Sequence, residues 1–125
     1  MNSWIVPVIV VFALLLAWKF FSAYRSPEQL RRIAEALQQG AKLIDVRTTM
    51  EFSSGHLPNA VNLPLGSLNP SAKELGDKAR PVVVYCASGA RSAHAAKLLR
   101  SAGFNTVLDL GPMFNGNKLP ALQAE

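Results

Sequence analysis

An uninterrupted apolar stretch near the N-terminus constrains this chain more than any other feature. The residues from Trp4 to Trp18 include no charged side chain and no hydroxyl group, and the mostly apolar sequence continues to Tyr24. A helix over Trp4–Tyr24 would be about 32 Å long, at ~1.5 Å per residue. Because the hydrocarbon core of a bilayer is roughly 30 Å thick, the sequence predicts one N-terminal transmembrane helix.

The residues at the ends of this stretch are typical of a membrane anchor. Trp4, Trp18 and Tyr24 are placed as aromatic belts would be, and Lys19 can extend its ammonium group to the nearby surface. Basic residues follow the stretch and do not precede it: Lys19, Arg25, Arg31 and Arg32. The positive-inside rule therefore predicts a single-pass protein, with residues 1–25 as anchor and the rest in the cytoplasm, at a bacterial inner membrane.

Two other interpretations of the stretch stay open, a cleaved signal peptide and a buried core helix. A signal peptide begins with a basic region and ends at a small-residue cleavage site. Met1-Asn2-Ser3 carries no side-chain charge, and no clean A-x-A sequence follows the stretch.

The remaining residues, 26–125, are enough for one domain. A single cysteine, Cys86, excludes an internal disulfide. The two histidines are distant from that cysteine in sequence, which argues against a structural zinc site. Much of the net charge of +5 lies beside the apolar stretch, where four basic residues and one acidic residue fall within 1–32. This asymmetry indicates membrane lipid as a partner and not nucleic acid, since no aromatic residues are interleaved with the basic ones.

Helical and strand signals alternate along residues 26–125. Ser26 and Thr48 each begin a capping box, and the run Val82–Cys86 is typical of a strand buried on both faces. The predicted helices are 26–40, 48–55, 69–75 and 91–102, and the predicted strands are 42–46, 61–63, 82–86 and 106–110. This alternation predicts an α/β domain with a small parallel sheet.

A loop of small residues joins the buried strand to the next helix and carries the chemistry. Its sequence is Cys86-Ala87-Ser88-Gly89-Ala90-Arg91-Ser92. Small residues let the backbone N–H groups point inward, and a helix start adds its positive end; both favour a thiolate on the cysteine. Arg91 can hold an oxyanion with paired donors, and Ser88 or Ser92 can supply a hydroxyl. We therefore predict a thiolate that attacks an anionic sulfur or phosphorus compound.

Several motifs resemble, in order, those of the rhodanese (thiosulfate sulfurtransferase) family. Cys86–Ser92 is similar to the family's active-site loop, and the earlier motifs are Asp45-Val46-Arg47, Glu51-Phe52, Gly55-His56-Leu57-Pro58-Asn59-Ala60 and Asn62-Leu63-Pro64. The resemblance covers residues 28–111. It implies a small parallel sheet with helices on both faces and no cofactor.

The same resemblance implies a reaction and its residues. Cys86 would take sulfane sulfur from a donor such as thiosulfate and pass it to cyanide or to a thiol, either a small thiol or a thioredoxin-like protein. Arg91 and the loop residues would bind the donor and the persulfide: Ala87, Ser88, Gly89, Ala90 and Ser92. The acceptor must be a separate molecule, because the chain has no second cysteine.

Three positions depart from the family pattern. Gly111-Pro112 stands where many members have two glycines, a tryptophan common soon afterwards is missing, and Ala87 stands where some members carry arginine. The structure after Gly111 is therefore expected to differ from that of the family.

Asp45 and Arg47 are supporting residues with two interpretations. They could shape the rim near Cys86, or they could be structural, with Arg47 paired to Glu51 and Asp45 accepting backbone N–H groups. The structural interpretation is favoured, and it ties the sheet to the helix that follows Thr48. His56 is expected to be a hydrogen-bonded turn residue, and His94 has no assigned role.

Two alternative functions remain. A cysteine-loop phosphatase or arsenate reductase also uses a thiolate, an amide nest and an arginine, but places five residues between cysteine and arginine where this chain has four, Ala87–Ala90. A non-catalytic, membrane-tethered rhodanese-like module is the other alternative.

Overall fold

The computed structural model of the protein describes residues 2–122. Met1 of the predicted anchor and 123–125 of the predicted domain lie outside the described residues. The helices and strands are, in chain order, α1 (Ile5–Ala23), α2 (Pro27–Gln38), β1 (Lys42–Asp45), α3 (Thr49–Ser53), β2 (Val61–Asn62), β3 (Val82–Cys86), α4 (Ala90–Ser101) and β4 (Val107–Pro112). Short 3-10 helices cover Leu65–Ser67, Lys73–Leu75, Met113–Lys118 and Pro120–Leu122.

The strands form one four-stranded sheet in the order β2-β1-β3-β4, and all neighbouring pairs are parallel. Every residue of β3 is buried, as its continuous apolar run predicts. Asp45 at the end of β1 pairs in register with Tyr85, the residue before Cys86. The C-terminal ends of the two central strands therefore meet at one edge of the sheet, and the predicted parallel α/β fold is confirmed.

Each face of the sheet is covered by a different helix. Since side chains alternate along a strand, Val82, Val84 and Cys86 face α4 and pack in one cluster with its Ala95, Ala96 and Leu99. Val83 and Tyr85 belong to the opposite cluster, which contains Ile33 of α2. Cys86 thus lies on the same face as the helix that begins just after it.

Helix α1 projects its apolar side chains outward instead of into either cluster. None of its residues is buried, and its most apolar window has a mean hydropathy of 2.3. Among residues 2–122 it is the one helix long and apolar enough to cross a membrane.

The helix predicted over 69–75 is mostly wrong. Only Lys73–Leu75 forms a helical turn there, of 3-10 type. The side-chain oxygen of Asn69 accepts the backbone N–H of Ser71 at 2.9 Å, a local turn that competes with helix formation. The last strand also runs two residues further than predicted, to Pro112, across an irregularity in its pairing with β3.

Candidate active site

The thiol of Cys86 is held by the backbone of the loop that follows it. Its Sγ accepts N–H groups from Gly89 at 3.0 Å and from Ser92 at 3.3 Å. The cysteine itself is fully buried, whereas the next two loop residues, Ala87 and Ser88, are exposed. The loop therefore forms a small cradle of amide donors around one sulfur atom, a surrounding that suits negative charge on sulfur.

Two features give the loop its shape. Gly89 has a φ of +104°, a conformation that favours glycine. A Cβ atom there would lie 3.3 Å from Cδ of Pro112. The hydroxyl of buried Ser92 donates to the carbonyl of Gly89 at 3.1 Å, so this hydroxyl closes the loop. Ala90 begins α4, which directs the N-terminal end of that helix at the cradle.

Arg91 is paired with Glu51, a contact that the sequence analysis did not predict. Its Nη1 and Nη2 donate to the two carboxylate oxygens at 2.7 and 3.0 Å. Glu51 also accepts the N–H and hydroxyl of Thr48, whose side chain caps α3 in return. Hydrogen bonds from Arg91, followed by those from Thr48, lower the pKa of Glu51 from 4.5 to about 2.

The charge of Arg91 acts mainly on Glu51 and more weakly on Cys86. Its hydrogen bonds to Glu51 raise the pKa of Arg91 above its ordinary value, burial opposes this rise, and the charge of Cys86 adds to it. Two of the five guanidinium N–H donors are used on Glu51, which leaves three for an anion. Arg91 is therefore a support of the site wall, and its charge also acts on the thiol.

Asp45 and Arg47 form a buried pair, and the predicted Arg47–Glu51 pair is wrong. The Asp45 carboxylate accepts both the backbone N–H of Arg47 at 2.9 Å and its guanidinium at 2.6 Å. Arg47 also donates to the carbonyl of Gly55 at 2.7 Å. The predicted backbone bond to Asp45 is thus confirmed, but the predicted tie from Arg47 to α3 is wrong, since Arg47 contacts Gly55, which lies after that helix. Asp45 is the partner of Arg47 because it lies two residues away on the same buried edge.

The histidines lie outside the cradle. His56 donates from Nδ1 to the carbonyl of Leu57 at 2.9 Å and stacks on Phe52, so the predicted turn role is confirmed. Beside it, the hydroxyl of Tyr85 accepts the N–H of Leu57 at 3.1 Å, and burial raises the pKa of this phenol. His94 is exposed on α4 and lines a shallow groove beside Arg91.

The positions that depart from the family pattern have structural roles. Pro112 pairs with Cys86 across the sheet and packs on Gly89. Gly111 has a φ of +77° and leaves room for the guanidinium of Arg25. A tail of 3-10 helices follows over Met113–Lys118 and Pro120–Leu122.

Comparisons with known proteins identify the family of this domain. The rhodanese-like domain family matches residues 26–111. A thiosulfate sulfurtransferase of Pseudomonas syringae pv. syringae is 40% identical over 81 residues, which are 65% of this chain and 73% of the relative. A thiosulfate:glutathione sulfurtransferase of Saccharomyces cerevisiae is 35% identical over 100 residues, 69% of this chain and 71% of the relative. The human single-domain sulfurtransferase has a similar structure, with a TM-score of 0.53, 28% identity and coverage of 70% and 87%.

The matches differ in how much of each relative they cover. This chain spans 94% of one curated relative but less than two thirds of several others, and only 16% of one of them. The family match covers the domain that contains the Cys86 loop, and several of the relatives are named as sulfurtransferases. The matched domain, the parallel sheet and the loop together establish that the chain belongs to the rhodanese family.

Proposed function

We propose that the protein is a sulfurtransferase that carries sulfane sulfur as a persulfide on Cys86. In the first step the Cys86 thiolate attacks the outer sulfur of thiosulfate. A new S–S bond forms, the original S–S bond breaks, and sulfite leaves with its electron pair. The cysteine is left as a persulfide anion, so one difficult transfer is divided into two easier steps.

In the second step an acceptor takes the outer sulfur. A thiolate attacks it and forms its own persulfide, and the electron pair of the broken S–S bond returns to Cys86 as thiolate. Cyanide would take the same sulfur to give thiocyanate. The yeast relative is named for glutathione, which supports a small thiol as acceptor.

The observation that carries this proposal is the pair of N–H groups aimed at Sγ, from Gly89 and Ser92. Preorganised donors stabilise charge as it develops, without reorganising during the reaction. Because Cys86 is buried behind a loop with only four residues before Arg91, the cradle suits a single sulfur atom better than a tetrahedral phosphate. Ala87, Ser88 and Ala90 would border the entering donor, and Arg91 would bind the departing oxyanion.

We also propose that residues 1–25 anchor the protein in a membrane and that the domain of residues 26–125 lies on the cytoplasmic side. The exposed apolar surface of α1 and the basic residues after it support this location.

Mass spectrometry after thiosulfate treatment tests the chemistry. The detergent-solubilised full chain should gain one sulfur atom, which cyanide or glutathione should then remove. Cys86→Ser should gain none and lose all thiosulfate:cyanide activity, because a serine hydroxyl stays protonated and cannot carry a persulfide. Ser53→Ala, at the exposed end of α3, is the matched control and should behave as wild type.

A non-catalytic module would fail this test in a distinct way. The folded wild-type chain would then remain unmodified by thiosulfate, and turnover would be absent. Retained activity in Cys86→Ser would instead show that sulfur transfer takes place at another group.

A further inference from the structure

The C-terminal end of α1 is fastened to the domain by two side chains. Arg25 donates to the carbonyl oxygens of Ser22 at 2.9 Å and of Asp109 at 2.7 Å, and pairs with the Asp109 carboxylate at 3.2 Å. Buried Asn115 donates to the carbonyl of Ala23 at 2.9 Å. The last carbonyl groups of a helix have no partner within it, so Arg25 and Asn115 cap α1 and fix it against β4.

The chain leaves space for this attachment. The guanidinium of Arg25 lies over Gly111, where an added Cβ atom would be only 2.8 Å from Nη2. The second N–H of the Asn115 amide is donated to the carbonyl of Leu110, also at 2.9 Å. Both fastening residues therefore contact α1 on one side and the end of β4 on the other.

An aromatic and basic surface continues from α1 onto the domain. The ring of Tyr24 lies 4.9 Å from that of Phe20 in α1 and 5.6 Å from that of Phe114 in the 3-10 tail. The ammonium group of Lys118 lies 4.6 Å above the Tyr24 ring. Phe114 remains 43% exposed. We call Tyr24, Phe114 and Lys118 the junction surface; aromatic rings beside lysine are typical of the region where lipid headgroups meet water.

The junction surface lies at the same edge of the sheet as the Cys86 loop. Cys86 pairs with Pro112 on the neighbouring strand, at a strand spacing of about 4.8 Å, and Pro112 leads directly to the segment that contains Phe114.

Helix α2 starts two residues after Arg25 and ends before β1 begins. Its twelve residues carry the chain about 18 Å, at ~1.5 Å per residue, to the opposite edge of the sheet. That edge includes Thr106, before β4.

We propose that the junction surface is a second membrane contact, which rests in the lipid headgroup region and holds the Cys86 edge of the domain toward the bilayer. This inference rests on the proposed membrane location of α1. Its consequence is that donor and acceptor reach Cys86 along the membrane surface, whereas the edge at Thr106 faces the aqueous phase.

Site-specific fluorescence in vesicles tests this orientation. The full chain, in a Cys86→Ser background, would carry one new cysteine: Phe114→Cys in the junction surface, Ser88→Cys in the loop or Thr106→Cys at the far edge. Each would be labelled with a polarity-sensitive dye and reconstituted in phosphatidylcholine and phosphatidylglycerol vesicles that contain a headgroup-spin-labelled lipid. The spin-labelled lipid should quench the dye several times more strongly at position 114 than at position 106. Quenching at position 88 should be intermediate.

A matched pair of variants tests the attachment of α1 to the domain. Arg25→Ala should reduce the difference in quenching between 114 and 106, because the fastening to Asp109 is lost. Arg32→Ala, on the exposed side of α2, removes the same charge and should leave that difference unchanged.

Two results would overturn the inference, and they are distinguishable. Equal quenching at 114 and 106, in vesicles that retain the protein after an alkaline wash, would show an anchored domain without fixed orientation. Release of the protein by that wash would overturn the membrane location, and the second contact with it. Sulfur loading, which is measured on the chain that retains Cys86, would be unaffected by that outcome.

Discussion

At the residue scale, the setting of the Cys86 thiol, the nucleophile that we propose, depends on one backbone conformation. Gly89 adopts a positive φ so that its N–H points at Sγ of Cys86, and its α-carbon lies against Pro112. A side chain at this position would be strained by the backbone and by the proline ring. The amide of Gly89 is therefore the donor most sensitive to substitution.

Gly89→Ala should slow sulfur loading of Cys86 by about 100-fold or more, the loss typical of removing one preorganised donor. Single-turnover loading with thiosulfate, followed by mass spectrometry, measures this rate. Gly66→Ala is the control, since nothing lies within 4 Å of an added Cβ there, and it should load at the wild-type rate. Unchanged loading in Gly89→Ala would mean that the Ser92 amide alone suffices.

The Glu51–Arg91 pair predicts a pH-dependent stability. The pKa of Glu51 is lowered from 4.5 to about 2 in the folded protein, chiefly by Arg91. The pair is therefore fully stabilising above pH 4.5, and its contribution is lost as the pH falls toward 2.

Glu51→Gln isolates this effect, because glutamine completes the same type of capping box in α2, where Gln29 has this role. Thermal unfolding of the detergent-solubilised chain should give a lower Tm for the variant at neutral pH, and the difference should shrink as the pH falls below 4.5. A Tm difference that is constant with pH would show that the carboxylate charge does not stabilise the fold.

At the element scale, local signals predicted the helix starts well. The capping boxes at Ser26 and Thr48 and the buried run of β3 are encoded in neighbouring residues, and they placed the sheet and the Cys86 loop. The pairing of Glu51 with Arg91 joins residues forty positions apart. No local pattern encodes that distance, so the sequence indicated a nearer and wrong partner for Glu51.

The tail shows a second limit of local reasoning. Asn115 is buried, and its side chain caps α1, a helix that ends at Ala23, far away along the chain. The sequence showed that the family's usual residues were absent after Gly111, but only the packed structure shows what replaces them. The absent tryptophan therefore gave no indication of the form that the tail takes.

Thr48→Ala tests whether a helix cap also supports the site. Loss of the cap should destabilise the fold by about 1 kcal/mol. It should also slow sulfur loading, because Glu51 loses its contacts with the Thr48 hydroxyl and holds Arg91 less firmly. Ser26→Ala removes the equivalent cap from α2 and should lower stability similarly with little effect on loading. Denaturant unfolding and single-turnover loading provide the two measurements, and equal loading in both variants would contradict the coupling.

At the scale of the whole molecule, α1 and the domain have opposite requirements for their surroundings. Helix α1 exposes Val, Leu and Phe side chains along its whole length, whereas the domain has its apolar side chains in two buried clusters. The hydrocarbon core of a bilayer provides the apolar surroundings that the exposed side chains of α1 require. The cytoplasm suits the domain, since a free reactive thiol stays reduced there and small thiols are abundant, whereas an oxidising compartment would cap or oxidise it.

The full-length protein should therefore remain in membranes after washes with high salt and alkali, and its domain should resist protease added to intact spheroplasts. The physical reason is the charge asymmetry: basic residues follow the apolar segment, and none precedes it. Lysed spheroplasts are the control, because the same protease should then digest the domain. Digestion in intact spheroplasts would place Cys86 outside the cytoplasm, and a cytosolic thiol could then no longer be its acceptor. Release by alkali would instead show that α1 does not span the bilayer.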